Sequence, residues 1–166
     1  LPSVETLETG WALWHNGGGN LLHPSDSMSG IAATAAAASA LTVADMDLRV
    51  TADGVIYGMH GNTLDETTNL SGSSFTINWA DLRAGVIDCS SWFAAGYPNE
   101  AIPTFGEFVR ACRGRVVMMP EIKNGAQYVV QAALAMGLTP TEIVFASFVQ
   151  SDLTTYVVPA GYKACL

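Results

Sequence analysis

The stretch VADMDLRVTADGVIYGMHGNTLDETTN, Val43 to Asn69, gathers two carboxylates and a histidine around one tight turn signal. Asp45 and Asp47 stand two apart in a run that reads as a strand, so both side chains leave one face while Met46 and Leu48 leave the other. Asp53-Gly54 is the turn. His60 follows that turn as far on as Asp47 precedes it, so a chain that reverses there and returns extended brings His60 beside Asp47. A cluster of two aspartates and a histidine is expected from spacing alone.

Working outward, the segment upstream is a short apolar strand, Trp11 to Trp14, ending at His15 and followed by Asn16-Gly17-Gly18-Gly19-Asn20, whose glycines allow close backbone approach to a ligand. Leu1 to Gly10 reads as a polar lead-in segment ahead of one domain over 11–166. Ser25, Asp26 and Ser27 supply cap chemistry for an alanine-rich helix over 28–41. Downstream, 61–102 has no sustained period and reads as a loop-rich subdomain around Trp79, Trp92 and Phe93, with a short helix over 79–84. Thr104 and Glu107 form a capping box for a helix that Gly114 ends. Strands are expected over 115–122, 143–148 and 162–166, and helices over 126–136 and 151–156.

Strand–helix alternation of this kind argues for a parallel α/β sheet, and polar residues at strand C-terminal ends point to a barrel-type site. The connection from Asp47 to Val55 is too short for a helical crossover, so those strands are antiparallel or the crossover is extended. The pattern counts six strands, whereas a closed barrel needs eight. The rest is expected from a longer chain or another segment, and the chain also begins without Met or a signal-peptide pattern.

Composition narrows the function classes. A formal net charge of −8 with seven Lys and Arg argues against a nucleic-acid partner or an anionic membrane surface. No apolar run reaches the roughly 18 residues that span a bilayer. Three cysteines without CxxC spacing indicate neither a disulfide framework nor a zinc site. Glu121, in the apolar run VVMMPEIK, is a costly carboxylate to bury without a role. Asp45 and Asp47 would repel on one strand face without a cation.

Taken in order, these motifs resemble the glycerophosphodiester phosphodiesterase family nearly end to end. His15-Asn16-Gly17 stands where that family has His-Arg-Gly, Pro24-Ser25-Asp26-Ser27 where it has Pro-Glu-Asn-Thr, and Asp45-Met46-Asp47-Leu48 where it has Glu-x-Asp-Val. Thr51-Ala52-Asp53-Gly54, the segment 62–69, Asp88 to Phe93, Ile102-Pro103-Thr104 and Glu121-Ile122-Lys123 follow in family order. The resemblance implies a TIM-type (β/α) barrel, incomplete over this stretch, with a small insertion after the third strand. It implies a divalent metal, Ca²⁺ or Mg²⁺, held by Asp45, Asp47 and Glu121, which suits hard cations. It implies His15 and His60 as the acid–base pair in hydrolysis of a glycerophosphodiester, or of a polymer with that linkage such as a teichoic acid.

Departures concentrate in the site. Asn16 replaces the family's arginine, so phosphate binding falls to Asn16 itself with Arg49 or Lys123 in support. Arg49 could equally pair with Asp45 and Asp47, and Lys123 could be a solvated strand end. Ser25, Gly61 and the shorter Asp45 also differ from the pattern. A rival expectation is therefore a catalytically weak module for binding or architecture within a larger protein. An extracellular, cell-surface or virion setting is favoured over a cytoplasmic one. A phospholipase D-like lyase shares the histidine and carboxylate layout, but the preserved segment after His60 argues against it.

Overall fold

The structure, a computed structural model, describes Val4 and residues 12–15, 22–37 and 42–166. The expectations for Asn16, for the three glycines after it and for most of the lead-in segment fall outside those residues.

In chain order the elements are β1 (Ala12–Trp14), α1 (Met28–Ala36), β2 (Thr42–Ala44), β3 (Asp47–Val50), β4 (Ile56–Gly58), α2 (Trp79–Arg83), α3 (Cys89–Trp92), α4 (Phe105–Cys112), β5 (Val117–Met118), β6 (Glu121–Ile122), α5 (Ala126–Ala135), β7 (Val144–Ala146), α6 (Gln150–Asp152) and β8 (Lys163–Cys165). The helix starts follow their caps. Ser27 accepts from the Gly30 N–H at the head of α1, and Thr104 and Glu107 close the expected capping box on α4.

Hydrogen-bonded neighbours run β1–β2–β5 in one sheet and β4–β3–β6–β7–β8 in the other. The two are joined. Met119 donates its N–H to the Ala44 carbonyl at 2.7 Å, Glu121 to Met46 at 3.1 Å and Lys123 to Leu48 at 2.9 Å. The parallel ladder thus passes through the interruptions at Asp45–Met46 and Met119–Pro120, so β2–β3 and β5–β6 are each one rising strand. With β1, β7 and β8 also parallel, the described residues present consecutive parallel positions of a TIM-type barrel wall.

β4 differs: it pairs antiparallel with β3, at Leu48↔Gly58, Arg49↔Tyr57 and Val50↔Ile56. Of the two arrangements left open for the short 47–55 connection, the antiparallel one is found, so one of the six strands counted in the sequence, 55–60, is not one of the parallel series. β4 flanks the upper half of the β2–β3 strand on the side where β1 flanks the lower half.

Side chains alternate across this wall with period two. Ala44, Met46, Leu48, Val50, Met118, Ile122 and Phe145 face outward into a core shared with Ile31 of α1, Phe105, Phe108 and Val109 of α4 and Val129 and Ala133 of α5. The opposite set begins with a small apolar group, Val4, Val43 and Val117, with Leu13, Met119 and Val144 against it. Asp45, Asp47 and Glu121 lie further along the same strand faces. The inner wall is apolar at its base and charged at the C-terminal ends.

Leu64, Leu82, Ile87, Cys89 and Ile102 of the segment 61–102 form a second apolar cluster with Tyr57 of β4 and Met59 just after it, and Trp79, Trp92 and Phe93 pack against it as expected. Cys89 and Cys112 are buried free thiols, the latter pushed up to about 12 by burial, and Cys165 is exposed.

Candidate active site

The β3–β6 register sets Asp47 directly beside Glu121. Asp47 is fully buried and Asp45 nearly so. Lys123 reaches back along its strand to place Nζ 2.6 Å from Glu121 Oε1 and 3.0 Å from Asp47 Oδ1. Burial alone would lower the lysine pKa, but the two carboxylates outweigh it and the net shift is upward. In this arrangement Lys123 is an internal counter-charge rather than a solvated strand end. The contact to Asp47 is an ion pair without hydrogen-bond alignment, and neither Asp47 oxygen accepts a hydrogen bond.

His15, at the end of β1, points Nε2 to 3.9 Å from Asp45 Oδ2 and is largely exposed. Asp45 is held at this end by its N–H, which donates to the Trp14 carbonyl at 3.3 Å. His15, Asp45 and Glu121 line a cleft with Leu13, Met119 and Phe148. The lining thus combines charged and apolar side chains.

His60 lies just beyond β4 and is exposed. The expected pairing with Asp47 is displaced by one residue: Met59 donates its N–H to the Asp47 carbonyl at 2.9 Å, so Met59 stands opposite Asp47. The cause is the turn. Thr51 closes it by donating to Val55, and the Thr51 hydroxyl binds both Asp53 and the Val55 N–H, which centres the reversal on Asp53. His60 is thereby carried past the strand end to the rim. Spacing alone does not make the two-aspartate, one-histidine cluster.

Arg49 shares the Asp45–Asp47 face but pairs with neither. Its Nε donates to the Met59 carbonyl at 3.1 Å and its Nη2 to the His60 carbonyl at 2.7 Å and Asn62 Oδ1 at 2.9 Å. The salt bridge to Asp45 or Asp47 expected of it is replaced by these bonds.

Asp26, read from the sequence as helix-cap chemistry and as part of the family match over 24–27, is not among the expected site residues. Asp26 is buried, with φ of 52°, a left-handed backbone rare outside glycine. This conformation lets Oδ1 accept the Asp47 N–H at 3.0 Å. Burial, and then the nearby Asp47 charge, raise its pKa well above the usual carboxylate range. The sequence signals that could have found it are its place directly before the N-cap serine and within the family match over 24–27.

The donor chemistry suits a hard divalent cation: Asp45, Asp47 and Glu121 offer carboxylate oxygens, and both Asp47 oxygens are buried without hydrogen bonds. Among the described residues, no group of three or more His, Cys, Asp and Glu side chains is already arranged to hold an ion. In this arrangement the Lys123 ammonium joins Asp47 to Glu121.

A parallel α/β wall with acidic side chains and a histidine at the C-terminal ends of its strands defines a TIM-barrel type of site. The chain belongs to the glycerophosphoryl diester phosphodiesterase family, whose model matches residues 15–141. It is 31% identical to mouse glycerophosphodiester phosphodiesterase 1 over 116 residues, which are 69% of this chain and 34% of that protein. The fold is similar to a glycerophosphodiester phosphodiesterase of Agrobacterium tumefaciens (TM-score 0.78, 20% identity, covering 93% of this chain and 65% of that one). It is also similar to a phosphodiesterase of Oleispira antarctica in complex with the product sn-glycerol-3-phosphate (TM-score 0.75, 17% identity, covering 88% and 60%). The chain spans about a third of the mouse relative's length. No helix among the described residues is long and apolar enough to cross a membrane.

Proposed function

We propose that this chain carries the charged half of the active site of a metal-dependent phosphodiester hydrolase acting on a glycerophosphodiester or a polymer with that linkage. The observation that carries the reading is the alignment of Asp47 with Glu121, with Asp45 on the same rising strand as Asp47 and His15 at the end of the neighbouring β1. Family membership supplies the substrate class.

In this reading Asp45, Asp47 and Glu121 hold a Ca²⁺ or Mg²⁺ ion, which would neutralise charge on the phosphoryl oxygens. His15 and His60 share the proton transfers, one taking a proton from the attacking hydroxyl and the other giving one to the leaving alkoxide. Both are exposed at the rim, where a substrate can reach them. Lys123 keeps Asp47 and Glu121 compatible at close range. The apolar lining residues Leu13, Met119 and Phe148 receive the uncharged part of the substrate.

The test is release of a glycerol phosphate from a glycerophosphodiester by the full-length protein, with Ca²⁺ or Mg²⁺ and after chelation, beside His15→Ala and Asp47→Ala. Metal-dependent turnover lost in both variants is expected. No turnover by the parent overturns the reading and leaves the binding or architectural module in its place, whereas turnover indifferent to chelation overturns its metal dependence.

A further inference from the structure

Arg49 is 2% exposed, and among the described residues its guanidinium forms no ion pair. Burying an unpaired cation is costly unless dipoles replace its water. They do here: the carbonyls of Met59 and His60 and the side chain of Asn62 converge on Nε and Nη2, and the Phe75 ring covers the group with its centroid 4.7 Å from Cζ. All three acceptors belong to the segment by which the chain leaves β4. The remaining nitrogen, Nη1, is buried and without a partner, so it offers no exposed donor to an anion.

The same segment is backed from the other side. A side chain at Gly61 would meet the Glu66 carboxyl carbon at 2.7 Å, and that carboxylate accepts from the Thr63 N–H and hydroxyl. His60 thus has its carbonyl fixed by Arg49, while the next residue is closed in by Glu66. Its imidazole is left exposed on a backbone whose carbonyl Arg49 holds.

We propose that Arg49 is a positioning residue for His60: its guanidinium fork sets the backbone from which the imidazole projects, and it makes no contact with the phosphate. This rests on the proposed role of His60 in proton transfer. Lysine cannot replace it, because a single ammonium on a flexible stem cannot reproduce a planar fork serving three acceptors.

The test compares wild type, Arg49→Lys and Asn62→Ala, the last removing one acceptor at an exposed position. Two readouts are taken: the ring resonances of His60 by NMR, separable because the chain has three histidines, and steady-state kinetics of the full-length protein. In Arg49→Lys the His60 ring signals shift or broaden while those of His15 and His23 stay, and kcat falls by at least about tenfold with KM changed by less than about twofold. Asn62→Ala moves the same signals by less. A rise in KM with kcat intact marks Arg49 as a phosphate ligand and overturns the proposal, as do unmoved His60 signals in either folded variant. If Arg49→Lys does not fold, Asn62→Ala decides alone. The NMR arm is independent of turnover, so an inactive parent defeats the hydrolase reading without touching the Arg49–His60 coupling.

Discussion

Asp47 and Glu121 stand side by side in parallel register, and the Lys123 ammonium touches both. Lys123→Met leaves two adjacent carboxylates unpaired, Asp47 fully buried. Breaking a buried pair costs about 3 kcal/mol or more, so a clear fall in melting temperature is expected. Millimolar Ca²⁺ should restore more stability to this variant than it adds to wild type, since a divalent cation replaces the missing charge. Thermal melts with and without Ca²⁺ measure both effects.

The capping box of α4 predicts a loss of about 1 kcal/mol for Thr104→Ala, measured by urea unfolding. It also predicts a pH dependence. The Thr104 N–H, donating to the Glu107 carboxylate, holds its pKa below the usual glutamate value, with the Thr104 hydroxyl and the charges of Arg83 and Arg110 adding to the effect. A folded-state pKa below the unfolded one gives stability that is fully present above the unfolded value of about 4.3. That stability is lost as pH falls through the lower folded value. Glu107→Gln removes this acid-side slope, and the contribution is modest because the side chain is about one-third exposed.

Gly61→Asp would restore the residue the family pattern has after the second histidine, but here it should destabilise. The new Cβ would meet the Glu66 carboxyl group at 2.7–2.9 Å, and two acidic groups would compete for one place. Displacing Glu66 loses its bonds to Thr63, an expected cost of about 1 kcal/mol. Glu66→Ala in the same background should recover part of that loss, which a double-mutant cycle reads directly.

Gly125, at the head of α5, has φ of 68°, and a Cβ there would meet Val50 Cγ2 at 2.5 Å. Gly125→Ala combines a left-handed backbone with a clash against the outer face of β3. A loss of roughly 1–3 kcal/mol is expected by chemical unfolding. Val50→Ala should relieve the steric part alone.

What was legible in the sequence was local. Thr104 and Glu107 announced α4, and Asp53-Gly54 announced a reversal that is present. The alternation of Asp45 and Asp47 with Met46 and Leu48 separated the two sets that the wall sends to opposite faces. What was not legible depended on distant pairings or on small shifts in register. The reversal is centred on Asp53 because the Thr51 hydroxyl closes the loop, and a one-residue slip is enough to change which residue stands opposite Asp47. Lys123 could be understood only once β6 was known to lie beside β3. Asp26 looked like a helix cap because nothing in its neighbourhood says that its carboxylate bonds a strand 21 positions further on.

The β3–β6 pairing has a kinetic consequence. The β3–β4 hairpin can form within microseconds because its partners are close in sequence. By contrast, the Asn124 side chain that accepts the Val50 N–H lies 74 positions away. Closing so long a loop is entropically expensive and comes late. At that moment one acidic strand approaches another, an encounter that charge alone would oppose. Glu121 arrives with Lys123 two residues behind it on the same strand, so the incoming segment brings its own neutralising partner before any external ion is needed.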